Sequence, residues 1–226
     1  MSLPAGLAPA RPRVKICGLT SLRDALMAAS LGADALGFLV GLSYDAEDEL
    51  RPDRAGSIIT ALPPFVTSVM VTHQVEVDQV VGLWRKVRSQ SIQLHGSFPA
   101  PEIPTLRREL PGIKILKSVQ VEDESSIEAA YRAAFFTDAL VLDSRTPDRL
   151  VGTGTTHDWS VSRRIVEKVA PYPVILAGGL NPENVAQAQR EVSPWGLDVN
   201  TGVSEKPGVK SRGLIESFLR EANRLA

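Results

Sequence analysis

Eight times along the chain, a short apolar run gives way to a segment whose apolar residues recur at helical spacing. The apolar runs cover 14–16, 35–40, 65–71, 91–94, 113–119, 139–142, 174–176 and 195–199. The helical segments cover 21–30, 52–61, 77–87, 102–110, 122–133, 160–169, 182–190 and 213–222. In the third helical segment Val77, Val80, Val81, Trp84 and Val87 form one stripe, and Pro52 stands at the start of the second, where a helix tolerates it. Strands made of unbroken apolar runs belong to parallel sheets covered on both faces. Eight such units with no break in composition predict an α/β fold, a closed (β/α)8 TIM barrel in a single domain over 13–226. A doubly wound open sheet is the competing arrangement. It usually carries a glycine fingerprint after its first strand, and here that turn reads Cys17-Gly18-Leu19-Thr20-Ser21.

Composition narrows the partners. The 25 Lys and Arg against 26 Asp and Glu leave a net charge of −1, so there is no basic field for nucleic acid. One cysteine excludes an intrachain disulfide framework and fits a reducing, cytoplasmic setting. No apolar run reaches the ~18 residues of a membrane span. The Pro- and Ala-rich stretch 1–12 has no signal-peptide pattern and reads as a disordered leader. The expected partner is a small molecule, with the chain acting as a monomer or homodimer.

In such a barrel the active site forms where the strands end. The residues there are Lys15 and Cys17, His73, His95, Lys117, Asp143, Gly178 and Gly179, then Asp198, Asn200, Thr201 and Gly202. The glycine turns after strands 7 and 8 suit a phosphate, because backbone N–H groups can approach an anion closely there; as a bland alternative they only make tight turns. Gly154, in a further glycine turn at 152–155, can cover the ligand. Cys17 is either a small core hydrophobe or a thiolate favoured by Lys15. Asp143 either caps a loop or, kept protonated by burial, acts as a general acid. Together Cys17 and Asp143 make a base and an acid across one barrel mouth. A metal held by His73, His95, Asp143 and Cys17 is a weaker reading with no spacing rule behind it.

Several segments taken in order resemble the phosphoribosylanthranilate isomerase family of tryptophan biosynthesis. They are Lys15-Ile16-Cys17-Gly18-Leu19-Thr20, Gly32-Ala33-Asp34-Ala35-Leu36-Gly37-Phe38, Gln93-Leu94-His95-Gly96, Leu142-Asp143-Ser144, Leu176-Ala177-Gly178-Gly179-Leu180-Asn181, Asp198-Val199-Asn200-Thr201-Gly202-Val203 and Pro207-Gly208-Val209-Lys210. The resemblance implies an Amadori rearrangement of a phosphorylated sugar amine without cofactor or metal. Cys17 is then the base that takes the C2 proton and Asp143 the acid that opens the furanose. Gly178, Gly179, Asn200, Thr201 and Gly202 hold the phosphate, and Lys15, His73, His95, Gly154 and Arg51 are further candidates for substrate contact. Alternatives are a paralogue working on another phosphorylated aminosugar or ketose, and a non-catalytic barrel that binds a phosphorylated ligand. The chain departs from the family after strand 2. Alignment on Pro52 puts Asp48 where an arginine is expected to clamp the anthranilate carboxylate, and Arg51 is the nearest substitute.

Overall fold

A computed structural model describes residues 9–143 and 159–224. Eight parallel strands close into a barrel in sequence order: β1 (Arg13–Ile16), β2 (Ala35–Leu39), β3 (Thr67–Thr72), β4 (Ser91–Leu94), β5 (Lys114–Gln120), β6 (Ala139–Asp143), β7 (Val174–Leu176) and β8 (Gly196–Val199). Pairing of β1 with β8, Lys15 opposite Asp198, closes the ring and excludes the open sheet. Helices α1 (Leu22–Ser30), α2 (Pro52–Thr60), α3 (Val77–Val87), α4 (Ile103–Glu109), α5 (Ser125–Ala134), α6 (Trp159–Val169), α7 (Val185–Val192) and α8 (Arg212–Ala222) alternate with the strands. A short hairpin of β9 (Ser204–Lys206) and β10 (Val209–Lys210) lies between β8 and α8, and no sequence pattern announced it.

Successive strand residues point to opposite faces. Val14, Ile16, Leu36, Phe38, Ile92 and Leu94 face outward and pack with Ile58, Ile165 and Phe218 of the helices. The inward face is narrower and holds two smaller apolar groups, Leu116, Ala139, Val141, Ile175 and Ala177, and Cys17 with Val69 and Val71. Lys15, alternating with Val14 and Ile16, is thereby turned into the barrel.

The element ends have local causes. Ser21, expected inside α1, is its cap: its side chain accepts from the Asp24 N–H at 3.1 Å. The segment expected as a helix from residue 182 turns helical only at Val185. Asn181 Oδ1 takes the Glu183 and Asn184 N–H groups at 2.8 and 3.1 Å, which makes a side-chain turn where the first helical turn was expected. Asp123 does the same to Ser125 ahead of α5. Phe65, expected in strand 3, is fully exposed with φ 70°, a left-handed conformation that cannot continue a strand. Of the leader expected over 1–12, residues 1–8 lie outside the described part; the Arg11 guanidinium pairs with both oxygens of Asp34 at 2.7 and 2.8 Å.

Candidate active site

Polar side chains share the inward face, Lys15, Gln93, Ser118, Asp143 and Asp198 among them, and none of these is more than 8% exposed. Buried polar groups must find partners, and these find one another. The Lys15 ammonium is the hub of the β1 side. It donates to Asp198 Oδ2 at 2.6 Å, to Gln93 Oε1 at 3.0 Å and to Cys17 Sγ at 3.2 Å. Burial alone would lower the Lys15 pKa, but the Asp198 carboxylate and the Cys17 sulfur raise it to about 12, so this ammonium stays charged. The same burial pushes the Cys17 thiol up, against the pull of Lys15. Gly37, the one break in the second apolar run, makes room: a Cβ there would lie 2.6 Å from Cys17 Sγ and 2.9 Å from Lys15 Cε.

A second centre forms around His95. Gln93 Nε2 donates to Ser118 Oγ at 3.1 Å, and Ser118 Oγ lies 3.0 Å from His95 Nδ1. A hydroxyl that accepts from an amide has its own proton to give, so Nδ1 accepts and Nε2 carries the ring proton. That Nε2 lies 3.5 Å from Asp143 Oδ2. Burial lowers the His95 pKa despite the nearby Asp143, which agrees with a neutral ring. Gln93 therefore joins the cysteine side of the mouth to the Asp143 side. His73 stacks on His95 with ring centroids 5.1 Å apart, and Tyr44 stands 5.4 Å beyond His73.

The mouth is framed by loops. The turns after β7 and β8 touch: a Cβ on Gly202 would lie 2.0 Å from the Leu180 carbonyl oxygen. Gly178 and Gly179 have φ 82° and 66°. Lys210, on β10, holds the β8 turn by donating to Asn200 O, Asn200 Oδ1 and Ser204 Oγ at 3.0, 2.7 and 3.0 Å. Burial pulls its pKa down to about 8, against the nearby Cys17, Asp48 and Asp198. Asn200 Nδ2 in turn donates to Asp48 Oδ2 at 2.8 Å. Gly18, with φ 68°, lies under this pair, and a Cβ would come within 2.6 Å of the Asp48 carboxylate and 2.3 Å of Asn200 Oδ1.

The structure thus brings together Cys17 with Lys15, Asp143 with His95 and His73, and the glycines of the last two turns with Asn200. Arg51 is placed apart from them, exposed at the start of α2, where it lines an outer groove with Glu47, Glu49 and Leu83. Asp48, not Arg51, reaches the strand ends. Gly154 and its turn, with His157, lie outside the described residues. Lys117, expected on the rim, shares the outward face of β5 with Ile115 and Val119; it donates to Gly96 O at 2.5 Å and so steadies the turn after His95. Among the described residues no three His, Cys, Asp or Glu side chains are grouped to hold a metal, and Cys17 faces an ammonium rather than His73 or His95. No described helix is long and apolar enough to cross a membrane.

A closed parallel barrel with a cysteine, an oriented carboxyl group and paired glycine turns at one mouth defines a (β/α)8-barrel enzyme for acid–base chemistry on a small ligand. Comparison with known proteins makes this specific. The family model described as N-(5'phosphoribosyl)anthranilate (PRA) isomerase matches residues 14–221. N-(5'-phosphoribosyl)anthranilate isomerase 2 of Methanosarcina mazei is 38% identical over 212 residues, covering 93% of each chain. The Haloferax volcanii isomerase is 39% identical over 210 residues, 93% of this chain and 92% of that one. The crystal structure of the Thermotoga maritima enzyme superimposes with a TM-score of 0.82 at 36% identity, over 93% of this chain and 98% of that one. Another structure of such an isomerase, in complex with reduced 1-(o-carboxyphenylamino)-1-deoxyribulose 5-phosphate, gives 0.80 at 34% identity with the same coverage. The chain belongs to the phosphoribosylanthranilate isomerase family.

Proposed function

We propose that this protein converts N-(5'-phosphoribosyl)anthranilate to 1-(o-carboxyphenylamino)-1-deoxyribulose 5-phosphate in tryptophan biosynthesis, as a cytoplasmic monomer or homodimer. The observation that carries the reading is the pairing of Cys17 with a permanently charged Lys15 on the same inward face as Asp143, which His95 orients. Protonated Asp143 gives its proton to the ring oxygen; the C1–O bond breaks and the nitrogen lone pair forms a C1=N iminium. The Cys17 thiolate then removes the C2 proton. That electron pair becomes the C1=C2 bond, and the nitrogen recovers its lone pair. Protons and electron pairs are redistributed within one molecule, so the reaction calls for no cofactor. The Gly178–Gly179 and Asn200–Gly202 turns hold the phosphate, and the stacked His73 and His95 rings line the side that receives the aromatic amine. Turnover of the purified protein on phosphoribosylanthranilate, with growth of an isomerase-deficient tryptophan auxotroph, tests the reading. A folded protein that turns over none of the substrate overturns it.

Two predictions concern substrate binding at the β8 turn. A Gly202→Ala variant cannot keep its turn against the Leu180 carbonyl. Its KM is expected to rise at least ~10-fold, with a smaller change in kcat, because a phosphate handle holds substrate and transition state alike. An unchanged KM removes this turn from the phosphate site. Asp48 stands against the same turn, accepting from Asn200 Nδ2 at 2.8 Å, and so brings a carboxylate to a mouth that must take up an anionic substrate. Asp48→Asn removes that charge while its amide oxygen can still accept from Asn200, so KM is expected to fall by up to about 10-fold with little change in kcat. A KM that stays the same or rises removes the Asp48 charge from the factors that set substrate affinity.

A further inference from the structure

The acid and base named above leave one proton unaccounted for. Once Cys17 has taken the C2 proton, the product of that step is an enol at C2. The ketose forms only when the enol O–H bond breaks and C1 gains a proton. The Cys17 thiol can return to C1 the proton it took from C2, but the hydroxyl proton needs a separate acceptor.

Asp198 is built as that acceptor. It lies in β8 directly opposite Lys15, is 7% exposed, and spends only one oxygen on the ammonium. The other, Oδ1, is buried and has no hydrogen-bond partner among the described residues. A buried carboxylate oxygen left without a donor is costly, and the cost is recovered when a ligand supplies the donor. Asp198 stands on the inward face of β8, since its neighbours Leu197 and Val199 pack into the outer core, so a donor to it comes from the barrel interior, where the Lys15 ammonium it grips also touches Gln93 of β4 and Cys17. One ammonium therefore stands between the sulfur that handles C2–H and the carboxylate with the idle oxygen.

Resting on the isomerase reading, we infer that Asp198 Oδ1 accepts a hydrogen bond from the substrate's C2 hydroxyl and takes its proton as the enol becomes the ketone. The atoms balance. The ring oxygen gains a proton from Asp143, the C2 hydrogen travels to C1 on Cys17, and the C2 hydroxyl proton passes to Asp198. The C1=C2 pair forms the new C1–H bond while the O–H pair becomes the second bond of C2=O. Asp198 and Asp143 reset through solvent before the next turnover. Asp198 is then a third catalytic residue, and Lys15 a positioning residue that aims it and Cys17 together.

The test uses Asp198→Asn in deuterated water. Product formation is expected to fall ~10²–10⁴-fold, while recovered substrate gains deuterium at C2 faster than product appears, because the stalled enol lets the Cys17 thiol exchange its hydrogen with the deuterated water before it returns one to C2. Product formation within about threefold of wild type overturns the inference. So does loss of product together with loss of C2 exchange, which would mean that Asp198 acts only through Lys15 on Cys17. Failure of the Cys17 assignment shows separately, as an active Cys17→Ala variant. A second measurement needs no folded variant. Wild-type protein is expected to bind the reduced ketose analogue, which carries a C2 hydroxyl, about 10-fold or more tightly than its 2-deoxy counterpart. Equal affinities overturn the contact.

Discussion

Cys17→Ala is expected to lower kcat by ~10²–10⁴-fold, the usual worth of a positioned base, while affinity for the reduced ketose phosphate stays within about threefold of wild type. Structure accounts for both halves. Among the described residues the one hydrogen bond to the sulfur comes from Lys15, and that ammonium keeps Asp198 and Gln93 when the sulfur is gone. The β8 turn is tied to this position by backbone, Cys17 N–H donating to Val199 O at 2.8 Å, a bond that alanine keeps. A pH profile supplies the signature of the base. Burial pushes the thiol up, with Asp198 adding to the shift and Lys15 and Lys210 opposing it. The thiolate is therefore the minority form at neutral pH, and kcat/KM is expected to climb as pH rises toward the thiol's raised pKa. Cys17→Ser should remain poor across that range, since a hydroxyl supplies almost no anion. A Cys17→Ala variant with near wild-type kcat removes the base assignment.

Asp143→Asn is expected to cost a comparable ~10²–10⁴-fold in kcat. The substitution keeps size and shape, and an amide oxygen can still accept from His95 Nε2, so the side chain keeps its place. What it loses is a proton to give, and without that proton the C1–O bond must break against a full alkoxide. Binding of the reduced ketose phosphate, whose ring is already open, should stay within about threefold of wild type. That split separates a proton donor from a merely structural carboxyl group, whose loss would weaken the complex and the melting temperature together. An active Asp143→Asn variant assigns the ring-opening proton to another group.

The barrel was legible in the chain because parallel strands read as apolar runs, and all eight fall within a few residues of the expected places. The late helix starts have one kind of cause. At 123, 181 and 184 short polar side chains bond to nearby backbone and delay a helix, a local competition that apolar periodicity does not register. Cys17, Asp143, His73 and His95 were findable because each ends a strand. Gln93 is visible in the strand-4 segment, but its role, and Ser118 altogether, are not, because their part is to connect: their partners are up to 78 residues away, and no spacing in the chain encodes that contact. Asp198 is visible as a strand-8 residue, but its importance lies in one oxygen that has no partner among the described residues, a fact of three dimensions only. Lys210 sits in a hairpin of five strand residues, too short to show a period. Arg51 lies close to Asp48 in sequence, but the turn into α2 carries it to the outer groove.

The seam between β1 and β8 joins residues 183 apart, and this bears on how the chain is made as well as on what it catalyses. During synthesis β1 emerges first, and one of its edges stays unpaired until nearly the whole chain has followed. An open strand edge invites pairing with the wrong chain. Lys15 sits in the middle of that edge with its ammonium turned toward the barrel interior, and any foreign strand laid against it would have to bury that charge without a counterion. Only β8 brings the carboxylate that neutralises it, at the matching register position. The same ion pair that prepares the reaction thus works as a lock on the last closing contact of the barrel, recognising its own strand by charge where shape alone would admit many.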